Sequence, residues 1–148
     1  MYLCFMTGSE KLLLDLILPA NILDYFEVAD VKESSPTAKA LSQGAIYSSV
    51  LDIYLDELDN RDESNQYLKA NGFTEPVTIN DFPIRDRKVR LHVRRRRWLD
   101  KDNKSIIINK YPIYKDGTRY SIEFADFLKG AHGYDTSHGE VLGEDVLR

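Results

Sequence analysis

The first apolar cluster of the chain has helical spacing. Its residues recur at intervals of one, three and one, at Leu12, Leu13, Leu16 and Ile17. This spacing indicates a helix with one apolar face. Ser9 stands in front of it as a suitable cap. Pro19 ends this helix or begins a second one, because proline is tolerated at a first helical position and little further in. We therefore expect helices near the N-terminus, with the apolar stripe buried.

Three later segments are predicted to be strands, and the second and third of them have the two-residue period that is typical of strands. Residues 27–33 form the first, and Pro36 follows it. Residues 48–57 alternate apolar and acidic positions, so that Leu51, Ile53 and Leu55 face a core and the acids face solvent. Residues 88–93 alternate apolar and basic positions. The β-branched residues 106–108 follow a turn at 100–103, which predicts a basic hairpin over residues 88–110.

The last periodic segment is helical. Thr118 can cap a helix over residues 119–129, in which an aromatic face is formed by Tyr120, Phe124, Phe127 and Leu128. The predicted fold is α+β: a small, mostly antiparallel sheet with a basic β-hairpin, N-terminal helices and a packed C-terminal helix. Residues 1–130 are expected to form one domain and residues 131–148 a mobile tail.

Length and composition favour one globular domain. The chain has 148 residues, 43% of them apolar. The longest nearly apolar run is far shorter than the roughly 20 residues that span a bilayer, and no secretory signal pattern is present. Cys4 is the only cysteine, which excludes an intrachain disulfide and a thiolate-rich zinc site. We expect a cytoplasmic protein without a membrane partner.

The net charge of −4 conceals a strong asymmetry. Residues 1–84 carry 5 basic and 14 acidic side chains, residues 85–119 carry 13 and 4, and residues 120–148 carry 2 and 6. A polyanion responds to the local field, because salt screens charges over about 8 to 10 Å. The basic middle segment is therefore the candidate for nucleic-acid contact.

The candidate DNA-binding residues all lie in one run of this segment: Lys88, Arg90, His92, Arg94, Arg95, Arg96, Arg97 and Trp98. Alternation places the even-numbered residues on one strand face, as a ladder of cations that ends in an aromatic ring. Guanidinium groups bind phosphate through paired donors. The alternative is that Arg90 and Arg94 pair with acids such as Asp52 and Asp56 on a neighbouring strand. Trp98 either stacks on a base or covers the hairpin.

No pattern of catalytic residues is present. His92 lies in the basic ladder, whereas His132 and His138 lie in the tail, so no element carries two histidines at metal-ligand spacing. A Gly-rich phosphate loop and a serine nucleophile elbow are also missing. We expect no cofactor, no metal and no enzymatic activity of this chain alone.

Residues 77–84 (VTINDFPI) with residues 88–101 (KVRLHVRRRRWLDK) resemble the N-terminal region of a family of bacterial insertion-sequence transposases. Weaker agreement extends this resemblance over residues 12–130. It implies a mobile-element protein that binds DNA at insertion-sequence ends during DNA recombination, with a separately encoded catalytic part as a partner.

Related transposases continue from the basic strand into a cysteine-bearing zinc ribbon, DNA-binding helices and an acidic-triad nuclease domain. This chain has no cysteine after Trp98, so we expect a hairpin to hold the fold without zinc. The metal-binding carboxylates of the nuclease would lie elsewhere. The alternative function is a protein-interaction module, in which the basic hairpin meets an acidic partner or another copy of the chain as a homo-oligomer.

Overall fold

The computed structural model describes residues 7–131. Its helices are α1 (Gly8–Ile17), α2 (Ala38–Ser42) and α3 (Ile122–Ala131), and short 3₁₀ turns lie at Ile22–Asp24 and Glu63–Asn65. The strands are β1 (Phe26–Ser34), β2 (Ser49–Glu57), β3 (Lys69–Phe73), β4 (Val77–Ile84), β5 (Arg87–Arg94), β6 (Arg96–Leu99) and β7 (Ser105–Ile106). The predicted tail, His132, His138 and Cys4 lie outside the described residues.

The strands form two sheets. The main sheet has the order β1-β2-β5-β4, and the second sheet has the order β3-β6-β7. All pairs are antiparallel except β2 with β5, which run parallel at the centre of the main sheet. The α+β class and the mostly antiparallel sheet predicted from the sequence are confirmed.

The core lies on one face of the main sheet. Its strand residues include Val28, Ile53, Leu55, Ile79, Val89, Leu91 and Val93, each at most 4% exposed. Leu18, Ile22 and Ile113 cover them from the loops, with Tyr111 beside them. The alternation of β2 therefore predicted the core side correctly, with Leu51 at its margin.

The predicted 88–110 hairpin is only partly correct. β5 forms its hairpin with the preceding strand β4, through a turn at Arg85 and Asp86. The second half of the prediction is a separate hairpin, in which β6 pairs with β7 in the other sheet. β5 is a central strand, and the backbone groups along both of its edges form hydrogen bonds with neighbouring strands. β2 and β4 fill both places, so β7 is left to pair with β6.

Both terminal helices differ from their predictions. Thr7, and not Ser9, caps α1 by accepting the Glu10 N–H. Helix α3 begins at Ile122, and Ser121 Oγ accepts the Phe124 N–H at 3.4 Å. The residues before it, 119–121, instead hydrogen-bond to Asn80 at the edge of β4.

The apolar faces of these helices are less buried than the spacing predicted. Phe124 and Leu128 pack inward, whereas Phe127 is 50% exposed. In α1, no residue is buried. The predicted burial of the α1 stripe is therefore wrong, because the core face of the main sheet is covered by Leu18 and Ile22, after the helix, and by the segment around Ile113. Within residues 7–131, every helix is too short or too polar to cross a membrane.

Candidate nucleic-acid interface

The basic run is divided between the two sheets. Residues up to Arg94 belong to β5, Arg95 lies in the break, and β6 begins at Arg96. The ladder nevertheless stays on one side across the break, because the guanidinium groups of Arg94 and Arg96 both lie over the Phe73 ring, at 4.4 and 5.2 Å from its centroid.

The arginines of β5 are paired with the acids of β2. The parallel register places Asp52 beside Arg90 and Asp56 beside Arg94. Arg90 donates to both oxygens of Asp52 at 2.8 and 3.0 Å, and Arg94 donates to both oxygens of Asp56 at 2.8 and 2.7 Å. The sequence left this pairing open as the alternative to DNA contact, and the structure contains it. The paired donors that would bind phosphate are engaged within the fold.

The charges in these pairs shift the pKa values of their partners. Burial would raise the pKa of Asp52, but hydrogen bonds and charges from Arg90 and His92 outweigh burial and hold that pKa below its ordinary value. The hydrogen bonds that Arg94 donates to Asp56 raise the pKa of the Arg94 guanidinium. About 40% of each arginine side chain remains exposed, so the pairs still border solvent.

His92 belongs to the same network. Its Nε2 lies 2.6 Å from Asp52 Oδ1, and its Nδ1 lies 3.1 Å from the Thr78 hydroxyl. The ring also stacks on Tyr54, with the ring centroids 4.6 Å apart. Both ring nitrogens and one face of His92 are therefore occupied.

Arg95 is half-buried at the junction between the sheets. Its guanidinium lies 3.3 Å from Glu57, whose side chain is 1% exposed, and it also donates to the Tyr111 carbonyl. Burial lowers the pKa of Arg95 and raises the pKa of Glu57. Glu57 in turn accepts the Arg96 N–H at 2.8 Å. Arg95 is therefore held by contacts within the fold. This corrects its inclusion in the predicted DNA-binding set.

Trp98 is a second correction, because it is 2% exposed. Its indole N–H donates to Asn60 Oδ1 at 3.0 Å. Arg61 covers the ring at 4.6 Å from its centroid, with Arg96 on the ring at 6.0 Å. The side chain covers the second sheet, as one sequence alternative held, and has no face open for a base.

Two of the eight predicted residues are exposed and have no acidic partner among residues 7–131. Lys88 lies on the outer face of the main sheet, whereas Arg97 lies on the second sheet. Arg97 Nε lies 3.2 Å from the Ser105 hydroxyl, which also accepts from the Asn71 amide.

Arg97 is part of a larger group of exposed cations that the sequence did not single out. Lys69 pairs in register with Leu99, two residues beyond Arg97, and Lys101 and Lys104 flank the turn that follows. None of the four has a salt bridge within the described residues. We call Lys69, Arg97, Lys101 and Lys104 the second-sheet cationic surface.

The acids nearest to this surface in sequence are Asp100 and Asp102. Asp100 Oδ1 accepts the N–H groups of Asp102 and Lys104, at 2.8 and 2.9 Å, so it shapes the turn. The two turn lysines could have been found by extending the basic run through residues 100–104. Lys69 could not, because only the β3–β6 pairing brings it there.

The described residues contain no group of three histidine, cysteine or acidic side chains placed to hold a metal ion.

No protein-family model matches the chain, and neither curated proteins nor solved structures include one with significant similarity to it.

Proposed function

We propose that this chain is the DNA-binding N-terminal region of a bacterial insertion-sequence transposase. It recognises the ends of the element in the cytoplasm, and catalysis belongs to a separately encoded part. The resemblance over residues 12–130 supports the family. The observation that carries DNA binding is the second-sheet cationic surface, whose four cations are exposed and have no salt bridge within the described residues.

The geometry of this surface suits a phosphate backbone. Arg97 and Leu99 are on one face of β6, and residues two apart on a strand face are roughly 6.6 Å apart. Lys69 and Ser105 lie beside Leu99 on the neighbouring strands. Asn71 and Ser105 add amide and hydroxyl groups, which also contact phosphate oxygens in protein–DNA complexes.

The paired arginines of β5 have a secondary part in this proposal. Asp52 and Asp56 cancel much of the field of Arg90 and Arg94. Long-range attraction of DNA therefore depends more on lysines and arginines that have no acid beside them. We therefore assign the DNA contact to the second sheet and not to the β5 ladder.

The test is a titration of fluorescently labelled duplexes at several salt concentrations. One duplex has the terminal sequence of the element that encodes the chain, and the other is a scrambled sequence. Each phosphate contact contributes about −0.9 to the slope of log affinity against log salt. Arg97→Gln with Lys101→Gln should therefore make the slope shallower by about 1.8.

The matched control is Lys39→Gln with Lys129→Gln. These lysines lie on α2 and α3, are exposed, and have no salt bridge to any other described residue. The control should keep the wild-type slope. A salt-independent affinity would refute DNA binding, and an unchanged slope in the Arg97/Lys101 variant would refute this surface. A saturable complex with an acidic protein, without duplex binding, would support the protein-interaction alternative.

A further inference from the structure

Helix α1 exposes an apolar face to solvent. The exposed fractions of Leu12, Leu13, Leu16 and Ile17 are 58%, 60%, 74% and 38%. The helix is anchored to the core through Leu14 and the following Leu18. Its opposite side is therefore held in a fixed position with no covering element among the described residues.

A groove continues this face. It has a volume of about 380 Å³ and lies between residues 16–19 and residues 81–84. Phe82, on the far wall, is 36% exposed, and the Phe127 ring packs on it at 5.4 Å while remaining 50% exposed. We call the four α1 residues together with Phe82 and Phe127 the α1 patch.

The α1 patch is large for a monomer. The exposed fractions of its six residues correspond to roughly three fully exposed large side chains. That is on the order of 500 to 600 Å² of apolar surface, at the upper end for the largest patch of a monomeric protein. A patch of this size marks an interaction surface.

We propose that the occupant of the α1 patch is a second copy of this chain, related by a two-fold axis near Leu16. A two-fold interface uses the same surface on both copies, so a surface that fits itself needs a projection beside a recess. Leu12, Leu13 and Leu16 form the projection, and the groove beside them forms the recess. Each α1 then fills the groove of the other copy.

The charges around the patch agree with self-association. Lys11 pairs with Asp15 on α1 itself at 3.1 Å, so the net charge of the helix is the single negative charge of Glu10, and two copies of it meet with little repulsion. The carboxylates at the groove already have partners in the fold. Glu123 accepts the Ala20 N–H at 2.8 Å, and Asp81 accepts the Ser121 hydroxyl at 2.7 Å. The groove thus does not require a cationic ligand.

The area sets the expected strength. Two such patches bury on the order of 1,000 to 1,200 Å² in total, which is at the low end for specific interfaces. We expect a dimer that dissociates on dilution, with a Kd of about micromolar or weaker.

Sedimentation equilibrium over a range of concentrations measures this directly. The wild-type chain should pass from monomer to dimer, whereas Leu13→Glu with Leu16→Glu should remain monomeric. The control is Leu41→Glu with Ile46→Glu, because these residues are 56% and 63% exposed and lie outside the patch. It should dimerise as the wild type does. The thermal midpoint of the monomer should be unchanged in both variants.

Cross-linking tests the symmetry. In a Cys4→Ser background, a single cysteine at residue 16 forms a covalent dimer only where it meets its own copy, so Leu16→Cys should cross-link much faster than Leu41→Cys. A wild-type chain that stays monomeric at every concentration would overturn the proposal. So would a dimer that survives Leu13→Glu with Leu16→Glu. DNA binding is measured separately, and its failure would leave this dimer unaffected.

Discussion

Glu57→Gln tests whether the buried charge pair at the junction of the two sheets stabilises the fold. In the wild type, Glu57 lies beside Arg95, accepts the Arg96 N–H and is 1% exposed. Glutamine has the same shape and keeps an oxygen for the Arg96 N–H. The substitution therefore removes mainly the charge that faces Arg95.

The expected cost follows from the surroundings of Arg95. Removing one partner of a buried ion pair typically costs about 3 to 5 kcal/mol, because the other charge stays buried. Arg95 retains the Tyr111 carbonyl and a 14% exposed side chain. Burial also raises the pKa of Glu57, so its ionised form is itself held at a cost. We therefore expect a loss just below this range, about 2 to 3 kcal/mol, or roughly 8 to 12 °C in Tm.

Urea and thermal unfolding measure this loss. Trp98 is the only tryptophan of the chain and is buried, so its fluorescence reports unfolding. Glu75→Gln makes the same chemical change at an exposed position that has no salt bridge within residues 7–131, and it should stay within about 0.5 kcal/mol of the wild type. Equal stabilities of the Glu57 and Glu75 variants would refute the reasoning. A double-mutant cycle with Arg95→Met isolates the pair and should give a coupling of about 1 to 3 kcal/mol.

Three further predictions follow from single sites. Trp98→Ala should lower the free energy of unfolding by about 3 to 5 kcal/mol, measured by circular dichroism, and a loss below about 1 kcal/mol would show that the ring is not buried. Burial raises the pKa of Asp81 above its unfolded value. The carboxyl therefore contributes stability that is complete below the unfolded pKa and is lost as pH rises through the folded pKa. The Tm of wild type minus that of Asp81→Asn should thus fall between pH 4 and pH 8, and a difference that rises would contradict the shift. No metal site is present in residues 7–131, so a chelator should leave the Tm unchanged. One zinc per chain by elemental analysis would contradict the expectation that this chain holds no metal.

The strands were predictable because their signal is local. Alternation identified β2 and β5, and it placed Ile53 and Leu55 in the core. The same parity also puts Glu57 and Arg95 on the apolar face, at the ends of two strands. A charged side chain on a buried face needs a partner of opposite charge. The Glu57–Arg95 pair could therefore have been predicted from the sequence if β2 and β5 had been placed side by side.

The environment of the helices was not predictable from spacing. An apolar stripe at helical intervals predicts that one face of the helix is shielded from water, but it does not predict which part of the protein covers that face. In α1 the expected cover was the core, but Leu18 and Ile22 take that position. The stripe thus remains exposed for a contact outside the described residues of one chain.

The strand neighbours, and not the density of arginines, determine where this protein presents positive charge without a carboxylate beside it. β5 lies beside β2, whose acids Asp52 and Asp56 stand directly opposite Arg90 and Arg94. β6 lies between β3 and β7, which contain no acidic residue, so Arg97 on that strand has no carboxylate opposite it. The two arginine-bearing strands are consecutive in sequence and similar in composition, yet the arginines of β5 pair with carboxylates, whereas Arg97 of β6 has no carboxylate partner within the described residues. A variant that moves an acid to the second sheet, such as Asn71→Asp beside Ser105 and Arg97, should therefore weaken DNA binding more than the same charge added near Asp52.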